Sequence, residues 1–319
     1  MMTAYQQTAA LKAAIELGLF TAVAEGQRTP AELAAKCGAT ERGMRMLADY
    51  LTVHGLLEKQ PQGYRLTPDS EVFLNHHSPA YMGGMIGFLG ASGIRRQFDA
   101  LTEAVRRGGV ATDESGATAE EYGGWVDFAQ SMEAMMGPAA QQIAALDNHG
   151  PLAVLDVAAS HGMFGFSIAR ANPAAHITAL DWANVLEVTK RNAARWGLAD
   201  RVSTIAGDAF TVDLAGPYDV ILLTNLLHHF DHAANVRLLK RLKAALKPGG
   251  RVVTLEFVPN ADRISPPMPA TFSLVMLAST PAGDAFTFAE FESMFAEAGF
   301  ASSLQIPVDG TPQTLILSQ

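Results

Sequence analysis

Three histidines fall within five residues, at His228, His229 and His232, in the stretch Thr224-Asn225-Leu226-Leu227-His228-His229-Phe230-Asp231-His232. Ahead of them Tyr218 to Leu223 reads as a buried strand, so the cluster sits at a strand's carboxyl end. An imidazole, with a pKa near ~6.5, can take a proton at neutral pH from a hydroxyl as that hydroxyl attacks. A phenol, with a pKa of about 10, releases that proton far more readily than an aliphatic alcohol. On the next apolar run, Arg251-Val252-Val253-Thr254-Leu255-Glu256, a carboxylate reaches the same edge. Between Leu255 and Phe257 an unpaired glutamate would be costly, which favours a partner over a mere cap on the strand. The natural partner is an imidazole, which a buried carboxylate orients and stabilises as a cation. His228 and His232 could instead share a helical face and hold a metal. No carboxylate–histidine set at standard metal spacing accompanies them, and no metal is assigned.

A second constellation lies upstream. Val154-Leu155-Asp156-Val157 is an apolar strand broken by one acid. Ala158-Ala159-Ser160-His161-Gly162, mostly small, then leads into a helical pattern through Phe164, Ile168 and Ala169. Small side chains at such a turn let a ligand approach the backbone and meet the helix's N-terminal N–H groups. The following strand, His176-Ile177-Thr178-Ala179-Leu180, ends in Asp181, where a doubly wound fold holds the two hydroxyls of a ribose. After a third strand, Ile205-Ala206-Gly207-Asp208-Ala209-Phe210 places Asp208 where it could accept from an adenine amino group. Phe210 or Trp182 would pack on the ring; a plain turn-forming aspartate is the other reading of Asp208. The glycines of G-x-G-x-x-G are absent, with Gly162 firm and Gly165 three positions on. A pyrophosphate needs several bare backbone amides. A nucleoside cofactor without phosphates fits better, and S-adenosylmethionine is the common one.

The elements that must position these residues follow from periodicity. Strands are expected near 152–157, 176–181, 202–206, 218–223 and 251–257, then a pair near 302–307 and 312–317, alternating with helices. The fold class is therefore α/β, a doubly wound and mostly parallel sheet with crossover helices. The first third reads as short helices and a hairpin. Ala9 to Leu19 is helical and broken at Gly18; Thr29 caps a second helix with Pro30 at its first position. Thr40 opens another, with Met44, Leu47, Leu51 and Val53 on its inner face. Leu56 to Lys59, a turn at Pro61-Gln62-Gly63, and Tyr64 to Leu66 make a small β-wing, completing a winged-helix arrangement. Ser78 to about Gly150 is helical apart from a polar loop from Gly108 to Ala119. Phe128 and Met132 share one helical face there, which on its own indicates core packing.

Composition sets outer bounds. A chain of 319 residues supports two domains with real cores. A net charge of −9 and the lack of a lysine–arginine cluster argue against nucleic acid as a partner. Arg42 and Arg45 in the would-be recognition helix are offset by Glu41 and Asp49, so dimerisation is the expected role of the winged helix. No stretch approaches the length of a membrane-spanning helix, and no charged leader opens the chain. The single cysteine, Cys37, excludes an internal disulfide and any cysteine-based zinc site, and is expected as a small buried thiol. The cytoplasm is the default compartment.

Together these residues resemble the S-adenosylmethionine-dependent O-methyltransferases typified by plant caffeate and flavonoid enzymes and bacterial polyketide-tailoring relatives. The likeness spans nearly the whole chain. It implies a dimerisation domain over 1–76, linking helices over 77–150 that contribute to a substrate pocket, and a cofactor-binding domain over 151–319. His228, ahead of His229-Phe230, matches the family's histidine, and Glu256 its glutamate on the next strand; Lys247-Pro248-Gly249-Gly250 matches the common turn before that strand. The resemblance implies a homodimer that methylates a hydroxyl of a small aromatic or polyketide-like acceptor, with S-adenosylhomocysteine as the spent cofactor. His228 would be the general base and Glu256 its holder. Cofactor contacts are expected at Asp156, Ala158, Ala159, Gly162, Asp181, Trp182, Gly207, Asp208, Ala209, Phe210 and Thr224. Phe128, Met132, Met276 and His229 would line the acceptor. The departures are three: the glycine-rich turn has become Ala158-Ala159-Ser160-His161, a lysine has become Thr224, and a second glutamate falls at Ala285 beside Asp284. A C-methyltransferase with a histidine-bound metal, a non-methylating relative using the same cofactor, and a winged-helix regulator with that cofactor as effector remain alternatives.

Overall fold

A computed structural model describes residues 2–319 apart from 113–115, 121 and 147–148. Three residues of the expected 108–119 loop therefore lie outside the described residues. The chain forms two compact units, one ending at Ala91 and the other running from Ser92 to Gln319.

In the first unit, helices Ala4–Glu16 and Leu19–Ala24 meet at Gly18, and Pro30–Cys37 and Glu41–Val53 follow. The Thr29 hydroxyl accepts from Glu32 N while the Glu32 carboxylate accepts from Thr29 N, a reciprocal cap around Pro30. Strands β1 (Leu57–Gln60) and β2 (Gly63–Leu66) form the antiparallel wing. Leu19, Phe20, Leu33, Met44, Leu51, Leu57 and Tyr64 make its buried core. The inner face of Glu41–Val53 differs from expectation at one position: Val53 is 81% exposed and Ala48 is buried. Val53 follows Leu51 by two residues, about 200° around the helix, so it points outward. Cys37 is half-buried, and that burial pushes its thiol pKa up.

The second unit is built on seven strands: β3 (Leu152–Val157), β4 (Ala175–Asp181), β5 (Val202–Ala206), β6 (Tyr218–Thr224), β7 (Leu246–Glu256), β8 (Ser303–Pro307) and β9 (Thr314–Ser318). Their order is β5-β4-β3-β6-β7-β9-β8, parallel through β7, with β9 antiparallel to both neighbours. The direction of winding reverses between β3 and β6, which opens a crevice at the carboxyl edge where such sheets take ligands. Register places Asp181 opposite Ala206 and Thr224 opposite Leu255, so the acids and histidines that end β4 to β7 share that edge. β7 starts earlier than expected. Lys247 to Gly250 belongs to the strand, and the register jumps from Tyr218↔Leu246 to Val220↔Arg251, so the motif is an irregularity within β7 rather than a turn before it.

Helices Met163–Ala171, Ala183–Arg195, His232–Ala244 and Phe288–Glu297 accompany the sheet. The helix after β3 lies close against it: a side chain on Gly165 would meet Ile177 at 2.8 Å and Asp156 Oδ2 at 2.9 Å. Among the described residues no helix is long and apolar enough to cross a membrane.

Candidate active site

β6 ends at Thr224, and the φ of 57° at Asn225 turns the chain into a short 3₁₀ segment, Leu227–His229. That turn aims three backbone N–H groups at one carboxylate oxygen. Glu256 Oε1 accepts from Leu226, Leu227 and His228 at 3.0, 2.8 and 3.4 Å. Its other oxygen, Oε2, lies 2.5 Å from His228 Nδ1. Glu256 has no exposed surface and His228 has 4%, so the carboxylate is kept by donors rather than by water. With Nδ1 donating to Glu256, His228 carries its lone pair on Nε2. An imidazole so held can accept a proton at Nε2 and form its cation against a fixed carboxylate.

Rings surround the pair. Phe272 meets the His228 ring edge-on at 4.9 Å between centroids, and Phe257 stacks on Phe272 at 4.1 Å. The His229 ring is 4.2 Å from that of His228 and 5.1 Å from Trp125, which in turn lies 5.9 Å from Phe128. Met132 and Met276 are buried and Phe128 is half-buried. Phe257, Phe272 and Trp125 are additions to the expected wall. Two carried a signal in the chain: Phe257 follows Glu256 directly, and Phe272 precedes Met276 by four residues on the same helix face.

The remaining histidines part company. His229 Nδ1 lies 3.2 Å from the Leu226 carbonyl, to which it donates. Burial, and after it the neighbouring His228, hold its pKa well below the ordinary histidine value, so this ring is neutral. His232 instead opens the next helix and pairs with Glu297 at 2.9 Å. His228 and His232 thus share no helical face. Asp284 does not stand in for the missing second glutamate: it binds Arg263 at 3.1 Å and its own following amide. The loop it belongs to still packs on His228: Gly283 lies so close to the His228 carbonyl that a Cβ there would sit 2.2 Å from the oxygen.

The turn after β3 keeps a glycine-like backbone without the glycines. Ala158 and Ser160 adopt φ of 56° and 54°, in the left-handed region that L-residues ordinarily avoid at a cost of roughly 1–2 kcal/mol each. Neighbours overdetermine that conformation. Asp181 Oδ2 accepts from Ser160 N at 2.8 Å, Thr189 donates to the Ser160 carbonyl at 2.6 Å, and Asn192 donates to the His161 carbonyl at 2.9 Å. Asp181 also accepts from Trp182 N at 2.7 Å. Burial pushes its carboxyl up to about 6. Beneath the turn, fully buried Asp156 accepts, among the described residues, only from Gly165 N, at 3.1 Å. Burial first, and the charge of Asp181 after the opposing Gly165 bond, push it up to about 8.

Around this turn lie the other expected cofactor contacts. Trp182 stands at the N-cap position of the helix Ala183–Arg195 and packs against the cluster of Ala129, Val185 and Val188. Gly207 donates to the Asp181 carbonyl at 3.0 Å. Asp208 binds Phe210 N at 2.9 Å as a turn-former, with its second oxygen 3.4 Å from the Thr211 hydroxyl. Ala209 holds Arg241 through its carbonyl, Phe210 meets Phe230 edge-on, and Thr224 is buried at the end of β6. Among the described residues, three buried polar atoms on one short stretch have no partner: Asp156 Oδ1, Ser160 Oγ and His161 Nε2. Buried polar atoms are nearly always bonded, so orphans gathered at a strand-end turn fit a polar ligand seated there.

Fold and site together define a class: a doubly wound α/β transferase domain preceded by a winged-helix unit. The chain belongs to the O-methyltransferase family, matching its O-methyltransferase domain over residues 116–301 and the O-methyltransferase dimerisation domain over 1–76. Relatives are consistent with this. The tetracenomycin polyketide synthesis 8-O-methyl transferase of Streptomyces glaucescens is 29% identical, covering 99% of this chain and 94% of that one. The 3-hydroxy-5-methyl-1-naphthoate 3-O-methyltransferase of Streptomyces sahachiroi is 30% identical over 94% of this chain and 87% of its own length. Among solved structures, a candidate O-methyltransferase from Nostoc punctiforme superposes with a TM-score of 0.96 at 51% identity, covering 99% of this chain and 96% of that one.

Proposed function

We propose that the protein is an S-adenosylmethionine-dependent O-methyltransferase that acts on a phenolic or enolic hydroxyl of a small aromatic or polyketide-like acceptor, with His228 as general base. The observation that carries this reading is the 2.5 Å contact between His228 Nδ1 and Glu256 Oε2, on a carboxylate already fixed by three backbone donors. The cofactor, when bound, supplies an electrophilic methyl on a sulfonium. Asp181 would hold its ribose hydroxyls, the Ala158–Gly162 turn its methionyl end, and Asp208 with Phe210 its adenine. His228 accepts the acceptor's proton at Nε2, and Glu256 fixes the ring and balances the imidazolium that forms. Phe257, Phe272, Trp125 and Phe128 exclude water and align a flat ring; alignment in such sites is worth roughly 7–11 kcal/mol in favourable cases. The acceptor's identity follows the family, whose members named above modify polyketide and naphthoate hydroxyls. Residues 1–76 support a homodimer, with 77–150 as linking helices and 151–319 as the cofactor-binding part.

His228→Ala tests the base. Turnover on a phenolic acceptor should fall about 10²- to 10⁴-fold while cofactor affinity, measured by calorimetry, stays unchanged. Unchanged turnover with intact cofactor binding would remove His228 from this role.

A further inference from the structure

We propose that Asn225 and Gln313 are positioning residues for methyl transfer: their side-chain amides form a latch that fixes the turn carrying His228. This rests on the assignment of His228 as base and adds two residues that act through it.

Asn225 is the hinge of that turn. Its N–H donates to the Leu255 carbonyl at 2.9 Å, which continues the pairing of β6 with β7 one residue beyond Thr224. There the chain leaves the sheet, and the next three N–H groups, of Leu226, Leu227 and His228, all meet Glu256 Oε1. The dihedral angles at Asn225 therefore set where those donors and the His228 ring lie. Its φ of 57° is left-handed, a region asparagine enters more readily than most side chains. Tolerance of that φ accounts for an asparagine at 225, but not for what its amide holds.

Asn225 Oδ1 accepts from Gln313 Nε2, and Asn225 Nδ2 lies 4.0 Å from Met136 Sδ. Gln313 is 4% exposed, and its own N–H is tied to Thr311 Oγ1 at 2.9 Å. It directly precedes β9, whose first residue, Thr314, pairs with Glu256. β9 and β6 flank β7 on opposite sides. The two amides thus reach across the carboxyl end of β7 and join the neighbours of the strand that ends in Glu256. Met136 adds a contact to the segment that follows Phe128 and Met132, so the latch also touches the chain that carries the acceptor wall. Without it, rotation about Asn225 splays the three N–H groups from Glu256 and swings His228 Nε2 off the acceptor's hydroxyl. A misplacement of about 1 Å in such a group costs up to about 10²-fold in rate.

The test uses Asn225→Gly, which keeps the left-handed backbone and removes the amide, and Gln313→Met, which keeps the length and removes the donor. In each, turnover of a phenolic acceptor at saturation should fall about ten- to a hundredfold, with the acceptor KM and the calorimetric affinity for S-adenosylhomocysteine within about twofold of wild type. The double variant should lose no more than either single one, because both break the same bond. The downfield proton resonance of His228 Nδ1–H, assigned by its absence from His228→Ala, should move upfield in both variants. Wild-type turnover in Asn225→Gly would mean that only backbone tolerance matters at 225, and would overturn the latch. An unmoved resonance, additive losses in the double variant, or cofactor affinity falling along with turnover would overturn it too. His228→Ala is assayed alongside: if it turns over like wild type, the base assignment fails, and the latch is then judged by the resonance alone.

Discussion

A carboxylate with no exposed surface persists only where donors surround it, and Glu256 has four: three backbone N–H groups and His228 Nδ1. That arrangement answers the loss of the second glutamate. Orientation of the imidazole comes from Glu256, with Gly283 packed on the His228 carbonyl, while Asp284 serves Arg263. Asp156 is the opposite case, a buried carboxyl with, among the described residues, a single N–H donor, and burial pushes it up to about 8. A carboxyl whose folded pKa is raised binds its proton more tightly when folded. Its contribution to stability is therefore full below the ordinary carboxylate value and is lost as pH rises through about 8. The urea midpoint of the cofactor-free protein should fall between about pH 5 and 8 more steeply in wild type than in Asp156→Asn, which has no proton to lose. Parallel pH slopes in the two proteins would refute the assignment.

The turn from Ala158 to Gly162 shows an element held by its neighbours rather than by its own residues. Sequence reading takes the missing glycines as a departure from the family's glycine-rich turn. The structure keeps the left-handed backbone at Ala158 and Ser160, clamped by Asp181, Thr189 and Asn192. Ala158→Gly should relieve strain and raise stability by roughly 0.5–1 kcal/mol net of the entropy a glycine adds to the unfolded chain, read as a higher urea midpoint. A lowered midpoint would mean that Ala158 is unstrained. Strands β3 to β6 and the capped helices of the first unit were legible because apolar periodicity and caps are local. The clamp was not, since Thr189 and Asn192 lie a helix away and nothing in their spacing marks them. Lys247 to Gly250 looked like a turn because glycine and proline signal one locally, yet pairing with β6 draws the motif into β7. Val53 was assigned inward by residue type where helical phase points it out.

At the scale of the whole molecule, the winged-helix unit and the α/β unit each followed from sequence, and the acidic balance agreed with a role other than nucleic-acid binding. His228, Glu256, Asp181 and Asp208 could be named because each ends a strand or follows one within four residues, and a doubly wound sheet sends the carboxyl ends of its parallel strands to one edge. The rest of the aromatic wall was not named: Phe128 was expected, but Phe257, Phe272 and Trp125 come from a strand end and two helices, and folding brings them to His228 and His229. His232, four residues beyond His228, was grouped with it by sequence proximity and faces Glu297 instead.

The central claim is that His228 removes the acceptor's proton during methyl transfer. Its most direct test is the single-turnover rate of wild type and His228→Ala across a series of phenols of graded acidity, at saturating cofactor. If His228 is the base, the deficit of the variant is large for weakly acidic phenols and shrinks toward none for phenols already ionised at the assay pH. A deficit of the same size across the whole series would contradict the claim, leaving His228 to position the acceptor without taking its proton.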